Sequence, residues 1–266
     1  MNASYVTARR VAELARLTGD REWSVLLTLG RVRVATVGQL ERLHFRDVSR
    51  RQARSVLASM AGRRLLARLP RAVGGVRAGS AGYVYVLDVA GQRLSTPAGS
   101  RRPARPWPVG TLFLAHSLAV TELLVRLAEA EASGESDVVL RLFRGEPACW
   151  RGFASPGGGQ VTLKPDAEVV LGLGQYEDRW FVEVDRATES GPTLARKAEL
   201  YVRYWQTGAE QARTGVFPRV LWIVPDSARQ SALTQILERS PAETWQLFAV
   251  ATEADAVGRL LGGAGL

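Results

Sequence analysis

Residues 161–172, VTLKPDAEVVLG, and residues 179–188, RWFVEVDRAT, decide the fold class. Behind the pair Pro165–Asp166, the residues Ala167, Val169 and Leu171 alternate with Asp166 and Glu168. That is the period-two pattern of a strand with apolar side chains turned inward and charges outward. The second stretch reads as another strand, in which Glu183 and Asp185 project to one face and Val182 and Val184 to the other. A helix follows over 192–208, PTLARKAELYVRYWQTG, with Pro192 near its first turn and Leu194, Ala198, Tyr201 and Trp205 as its buried stripe.

The rest of the second half repeats the mixture. Helices are predicted over 111–132, 228–240 and 253–262, and strands over 138–146, 148–153, 219–226 and 244–252. Interleaved in this order, they predict an α/β (α+β) domain with a mixed sheet flanked by helices.

The first half is different. Residues 22–35 place Val25, Leu26, Leu29 and Val32 at helical spacing, Thr36 caps a short helix with Val37, Leu40 and Leu43 inward, and Ser49 caps a third over 50–66. Strands at 65–70 and 82–89 with a Gly-rich hairpin between them complete the pattern of a winged helix. The third helix turns Ala53, Val56, Leu57 and Met60 inward and presents Arg50, Arg51, Gln52 and Arg54, residue types that reach base edges or phosphates, while Arg71 and Arg77 sit on the wing. Residues 95–108, STPAGSRRPARPWP, hold four prolines and three arginines without periodicity and read as a linker, giving domains at 1–94 and 109–266.

Charge supports this division. Residues 1–108 carry 20 arginines and 6 acids, about +14, whereas 109–266 carry 15 basic and 20 acidic residues, about −5, for a net +9. A basic front half implies a polyanionic partner, here double-stranded DNA, because neutralised phosphates release counterions. No apolar run is long enough for a membrane span and the first residues lack a signal-peptide core, so a cytoplasmic protein without a membrane partner is expected. One cysteine, Cys149, and two histidines, His44 and His116, exclude an internal disulfide and a Cys/His zinc site.

The chemistry concentrates in the acidic pattern. If the two strands pair as a hairpin, Asp166, Glu183 and Asp185 converge, and carboxylates held together call for a balancing cation. Mg²⁺ or Mn²⁺ suits oxygen ligands and keeps waters, one of which can attack a phosphodiester. Lys197, on the next helix, is placed to meet the developing charge on phosphorus. Lys164 and Lys197 are the only lysines among 35 basic residues, and both fall within this window.

These residues resemble the PD-(D/E)xK nuclease-like superfamily through Pro165–Asp166, Glu183-Val184-Asp185 and Lys197. The blocks HSLAVTELLVRL at 116–127, LKPDAEVVL at 163–171, FVEVDRATES at 181–190 and LARKAELYVRYW at 194–205, behind the winged helix, resemble the replication-relaxation family over roughly residues 22–250. The resemblance implies a restriction-endonuclease-like second domain, metal-dependent cleavage of DNA, an association with plasmid or mobile-element replication and transfer proteins, and a site to which Glu122 of the first helix adds an acid. The sequence departs from the superfamily where Asp185 stands in place of its usual lysine, so that Lys197 acts as a relocated one.

Other readings stay open. Asp166 also fits a turn cap, Glu183 and Asp185 fit a surface network with Arg186 and Arg196, and Glu122 fits a solvated helix position. An inactive nuclease-like scaffold and a winged-helix transcriptional regulator are the competing functions.

Overall fold

Capping explains where the first helices begin. In the computed structural model, which describes residues 6–69, 83–95, 110–134, 137–155 and 157–262, the hydroxyl of Thr7 accepts from Arg10 N to open α1 (Ala8–Leu17). Helix α2 (Asp20–Val32) carries Asp20 and Glu22 in its first turn, where carboxylates complement the exposed N–H groups. After β1 (Val34–Thr36), capping boxes open both α3 (Val37–His44), at Thr36 and Gln39, and α4 (Arg50–Gly62), at Ser49 and Gln52. Strands β2 (Leu66–Leu69) and β3 (Val84–Leu87) follow, and then α5 (Val89–Ser95). The strands form an antiparallel sheet in the order β1-β3-β2. Leu26, Leu29, Leu40, Leu57, Met60 and Tyr85 form the core beneath it.

Helix α6 (Thr111–Ser133) is shared between two compact units, 1–125 and 126–266. Its first half belongs to the first unit, where Leu114 joins Val34 and Leu69 in a small apolar cluster and the Thr121 hydroxyl donates to Val34 O at 2.7 Å.

The second unit contains β4 (Val138–Gly145), β5 (Arg151–Ala154), β6 (Gln160–Leu163), β7 (Ala167–Leu173), β8 (Tyr176–Val184), α7 (Gly191–Gln206), α8 (Ala209–Thr214), β9 (Arg219–Val224), α9 (Ser227–Leu237), a 3-10 turn (Ala242–Leu247), β10 (Phe248–Thr252) and α10 (Ala256–Leu261). Five of these strands make one sheet, ordered β10-β9-β8-β7-β4. Its β4-β7-β8 part is antiparallel and its β8-β9-β10 part parallel. The mixed sheet expected from the sequence is therefore present. Strands β7 and β8 are joined by the two residues Gly174 and Gln175, with Gly174 at φ +59°, the left-handed region in which a residue without Cβ is least strained.

One face of the sheet is closed by α7 and α9. Phe181, Val220, Trp222 and Val224 from the strands bury against Leu194, Ala198, Tyr201, Leu233 and Leu237. The separate ribbon of β5 and β6 lays Phe153 and Leu163 onto the same core.

Several elements differ from their sequence reading. The strand expected behind Pro165–Asp166 is β7, and a further short strand, β6, precedes Pro165, which has no N–H to give a ladder and separates the two. Helices α1, α5 and α8 are additional to those expected. No helix among the described residues is long and apolar enough to cross a membrane.

Candidate functional site

Register places Asp166 at the mouth of the β7–β8 hairpin. Ala167 pairs with Val182, Asp166 N donates to Val182 O at 3.0 Å, and its Oδ2 accepts from Val184 N at 2.7 Å. The carboxylate is thereby fixed across the strand that carries Glu183. Glu168 lies opposite Phe181 in the same register, so Asp166, Glu168, Phe181 and Glu183 share the face covered by α7.

Glu183 is fully buried. Two side chains of α7, four residues apart and hence on one helix face, hold its carboxyl. Tyr201 Oη donates to Oε1 at 2.5 Å, and Lys197 Nζ stands 2.6 Å from Oε2. The ammonium also lies 5.5 Å from the ring centroid of Trp222, and its side chain retains 27% exposure. Glu183 is the fully buried member of the cluster, Asp166 keeps 8% exposure, and Lys197 is its solvent-facing member.

Burial dominates the electrostatics. It pushes the Glu183 carboxyl up to about 8, against the opposing charge of Lys197 and with the help of the Asp166 charge. For Lys197, burial favours the neutral amine, but the carboxyls of Glu183 and Asp166 outweigh it and hold the ammonium above its ordinary value. Burial and then the Glu183 charge keep the Tyr201 phenol protonated far above its usual range. Cys149 donates its thiol to Pro165 O at 3.0 Å and burial pushes it up to about 12, which leaves no thiolate nucleophile beside the site.

The remaining expected site residues fall elsewhere. Asp185 continues the line of β8, but its Oδ1 accepts from Ala187 N at 2.9 Å and its Oδ2 from Arg229 Nε at 2.5 Å. Glu122 belongs to the first unit, where Arg42 Nη1 donates to it at 2.6 Å and Gln39 Nε2 at 3.0 Å. Among the described residues no group of three or more His, Cys, Asp or Glu side chains is arranged to hold a metal ion. Asp166 and Glu183 form the carboxylate pair, with Lys197 as their cation.

On α4, Ala53, Leu57 and Met60 face inward while Arg50, Arg51, Gln52 and Arg54 are exposed. Arg50 and Arg54 reach back to Glu41, at 3.8 and 3.5 Å. Gln52 accepts from Ser49 N at 3.1 Å and so closes the helix cap. Arg71 and Arg77 lie outside the described residues.

A second ionic cluster escapes the sequence reading. Arg151 joins the buried Glu168 and Glu210 at 2.7 and 3.0 Å. Arg213 also bridges the two carboxylates, and Tyr204 Oη donates to Glu210 at 2.6 Å. Burial alone would raise the Glu210 carboxyl, but hydrogen bonds from Arg213, Tyr204 and Arg151 bring it below its ordinary value. The only sequence signal was Glu168 standing in a strand flanked by apolar residues, with arginines far away in sequence.

A family model described as replication-relaxation matches residues 26–220. The chain belongs to the replication-relaxation family. The matched replication-relaxation region runs from within α2 to the first residues of β9. It includes the α4 arginines, Glu122, Asp166, Glu183 and Lys197, and the family blocks quoted from the sequence lie inside it. Membership fits a role in replication or relaxation. No curated protein and no solved structure matches the chain.

Proposed function

We propose that this replication-relaxation protein binds double-stranded DNA of a plasmid or mobile element through a winged-helix first unit and cuts one of its phosphodiester bonds with a PD-(D/E)xK-like second unit. The reading is carried by one observation: Lys197 Nζ lies 2.6 Å from Glu183 Oε2 beside Asp166, at the junction of β7, β8 and α7. Three residues expected to act together from separate sequence segments occupy one corner of a mixed sheet. In the first unit, helices α2, α3 and α4 packed with the antiparallel β1-β3-β2 sheet, and the exposed arginines on α4, support the DNA-binding half.

The donor set suits Mg²⁺ or Mn²⁺, which need only one or two protein carboxylates when waters and phosphates complete the shell. Asp166 and Glu183 would hold the ion once Lys197 gives up Glu183 Oε2, whereas Asp185 is turned to Arg229 and the loop at Ala187, and Glu122 belongs to the first unit. Such an ion would supply phosphoryl polarisation and a more acidic water. The chain's own residues do the positioning. Val184 N fixes Asp166, Tyr201 orients Glu183, and Lys197 releases Glu183 to place its ammonium against a phosphate oxygen.

Supercoiled plasmid incubated with Mg²⁺ or Mn²⁺ is expected to be nicked by the full chain and left intact by Asp166→Asn and Lys197→Met. A wild-type chain inert with both metals rejects cleavage. The engaged state of Asp185 favours a second reading, a DNA-binding scaffold without hydrolysis, which is supported if DNA affinity is unchanged by chelator and by Asp166→Asn.

A further inference from the structure

Of the chain's two lysines, Lys197 is committed to Glu183 and Lys164 is not. Among the described residues no carboxylate pairs with Lys164, which is exposed, and its ammonium rests over the ring of Trp150, 4.8 Å from the centroid. This arrangement follows from the ribbon. Its paired part ends at Arg151↔Leu163, the next residues outward are Trp150 and Lys164, and the contact of Cys149 with Pro165 O continues the alignment. Lys164 therefore ends the ribbon two residues before Asp166. No aspartate or glutamate stands between Glu146 and Asp166, so nothing in this stretch repels a polyanion. An aromatic face steadies an ammonium without neutralising it, whereas a carboxylate would cancel its charge.

We infer that Lys164, steadied on Trp150, is a positioning residue that binds a backbone phosphate of the DNA strand led to Asp166 and Glu183. The inference rests on the nuclease reading and adds to it a contact that acts in binding. Lysine meets phosphate as a point charge, and an arginine at the same place supplies the same charge.

The test is binding of a fluorescently labelled DNA duplex to the full chain in excess chelator, by anisotropy, over a series of salt concentrations. One lost phosphate contact lowers the slope of log affinity against log salt by about 0.9. Lys164→Ala is expected to show that decrease, with affinity about threefold to tenfold weaker at moderate salt, and Lys164→Arg to restore both. A Lys164→Ala chain with the wild-type slope and affinity overturns the inference, as does loss that Lys164→Arg fails to restore. Because chelator removes cleavage from the measurement, a missing nicking activity overturns the nuclease reading alone, and a wild-type chain that binds no duplex overturns both.

Discussion

Arg229 of α9 clamps Asp185 at the end of β8, with Nε 2.5 Å from Oδ2, while its Nη2 donates to Glu189 O at 2.7 Å. One guanidinium thus satisfies a buried carboxylate and fixes the loop after it, where Ala187 takes a positive φ of 57°. Charge beside a buried partner cannot be removed cheaply, because the carboxylate is left without compensation. Arg229→Met is expected to destabilise the second unit by about 3 kcal/mol, read as a lower midpoint in urea. A midpoint equal to wild type would show that Asp185 finds water or another donor.

Glu183 gives the second prediction. Its carboxyl is raised from an ordinary value near 4.5 to about 8, burial being the first cause. An acid whose folded-state value is raised binds more protons folded than unfolded, so stability falls as pH rises between those values. The stability of wild type relative to Glu183→Gln is expected to decline from about pH 4.5 to about pH 8 and then level off. A difference that stays flat, or rises, over that window rejects the protonated form. A divalent cation must displace the same proton, so Mn²⁺ is expected to bind more tightly at about pH 8.5 than at about pH 6.5 by calorimetry.

The Arg151 cluster gives the third. Truncating Arg151 takes a cation from two buried carboxylates, Glu168 and Glu210, and Arg151→Met is expected to cost about 4 kcal/mol. Glu168→Gln, which keeps shape and hydrogen bonding, is expected to cost less. Chemical denaturation of the two variants checks the order, and equal costs would contradict it.

Glu168 and Asp185 also show where the sequence was legible and where it was not. The α/β order, the strand at 179–188, the helix carrying Lys197 and the caps at Thr36 and Ser49 follow from periodicity and local chemistry, and the structure contains them. Alternation turned Glu168 outward because a charge in a strand ordinarily seeks water, yet Arg151, Arg144 and Arg213 meet it inside. Those partners come from other strands and from α8, a nonlocal arrangement without a sequence period. Asp185 projected with Glu183 in the strand pattern, but which side chain receives it depends on α9, 44 positions later. Tyr201 was legible as core and not as the donor that fixes Glu183.

Gly91 supplies a prediction from packing. A Cβ built on it would stand 2.1 Å from the carbonyl oxygen of Leu65 and 3.3 Å from Leu26 Cδ2. The first neighbour is backbone, already accepting from Asp88 N at 3.1 Å, so it cannot yield as a side-chain tip would. Gly91→Ala is expected to lower the stability of the first unit by about 3 kcal/mol, despite alanine's better helix propensity. Thermal unfolding followed by circular dichroism checks this, and an unchanged or raised midpoint would show that α5 shifts freely from Leu65.

His44, at the end of α3, makes the first unit sensitive to acid. Its Nε2 lies 2.9 Å from Thr28 Oγ1, and burial, followed by the positive charges of Arg21 and Arg31, lowers its value from 6.5 to about 4. The unfolded state consequently takes up a proton that the folded state refuses, so the contribution to stability is fully present above about pH 6.5 and is lost as pH falls toward about 4. Other ionisable groups share the chain, so the readout must be a difference. The stability of wild type relative to His44→Gln is expected to be constant above pH 6.5 and to fall below it, because glutamine keeps a polar group near Thr28 and takes up no proton. Urea denaturation at steps between pH 7.5 and pH 4.5 measures that difference, and one that does not fall below pH 6.5 would mean that the imidazole is protonated inside the fold.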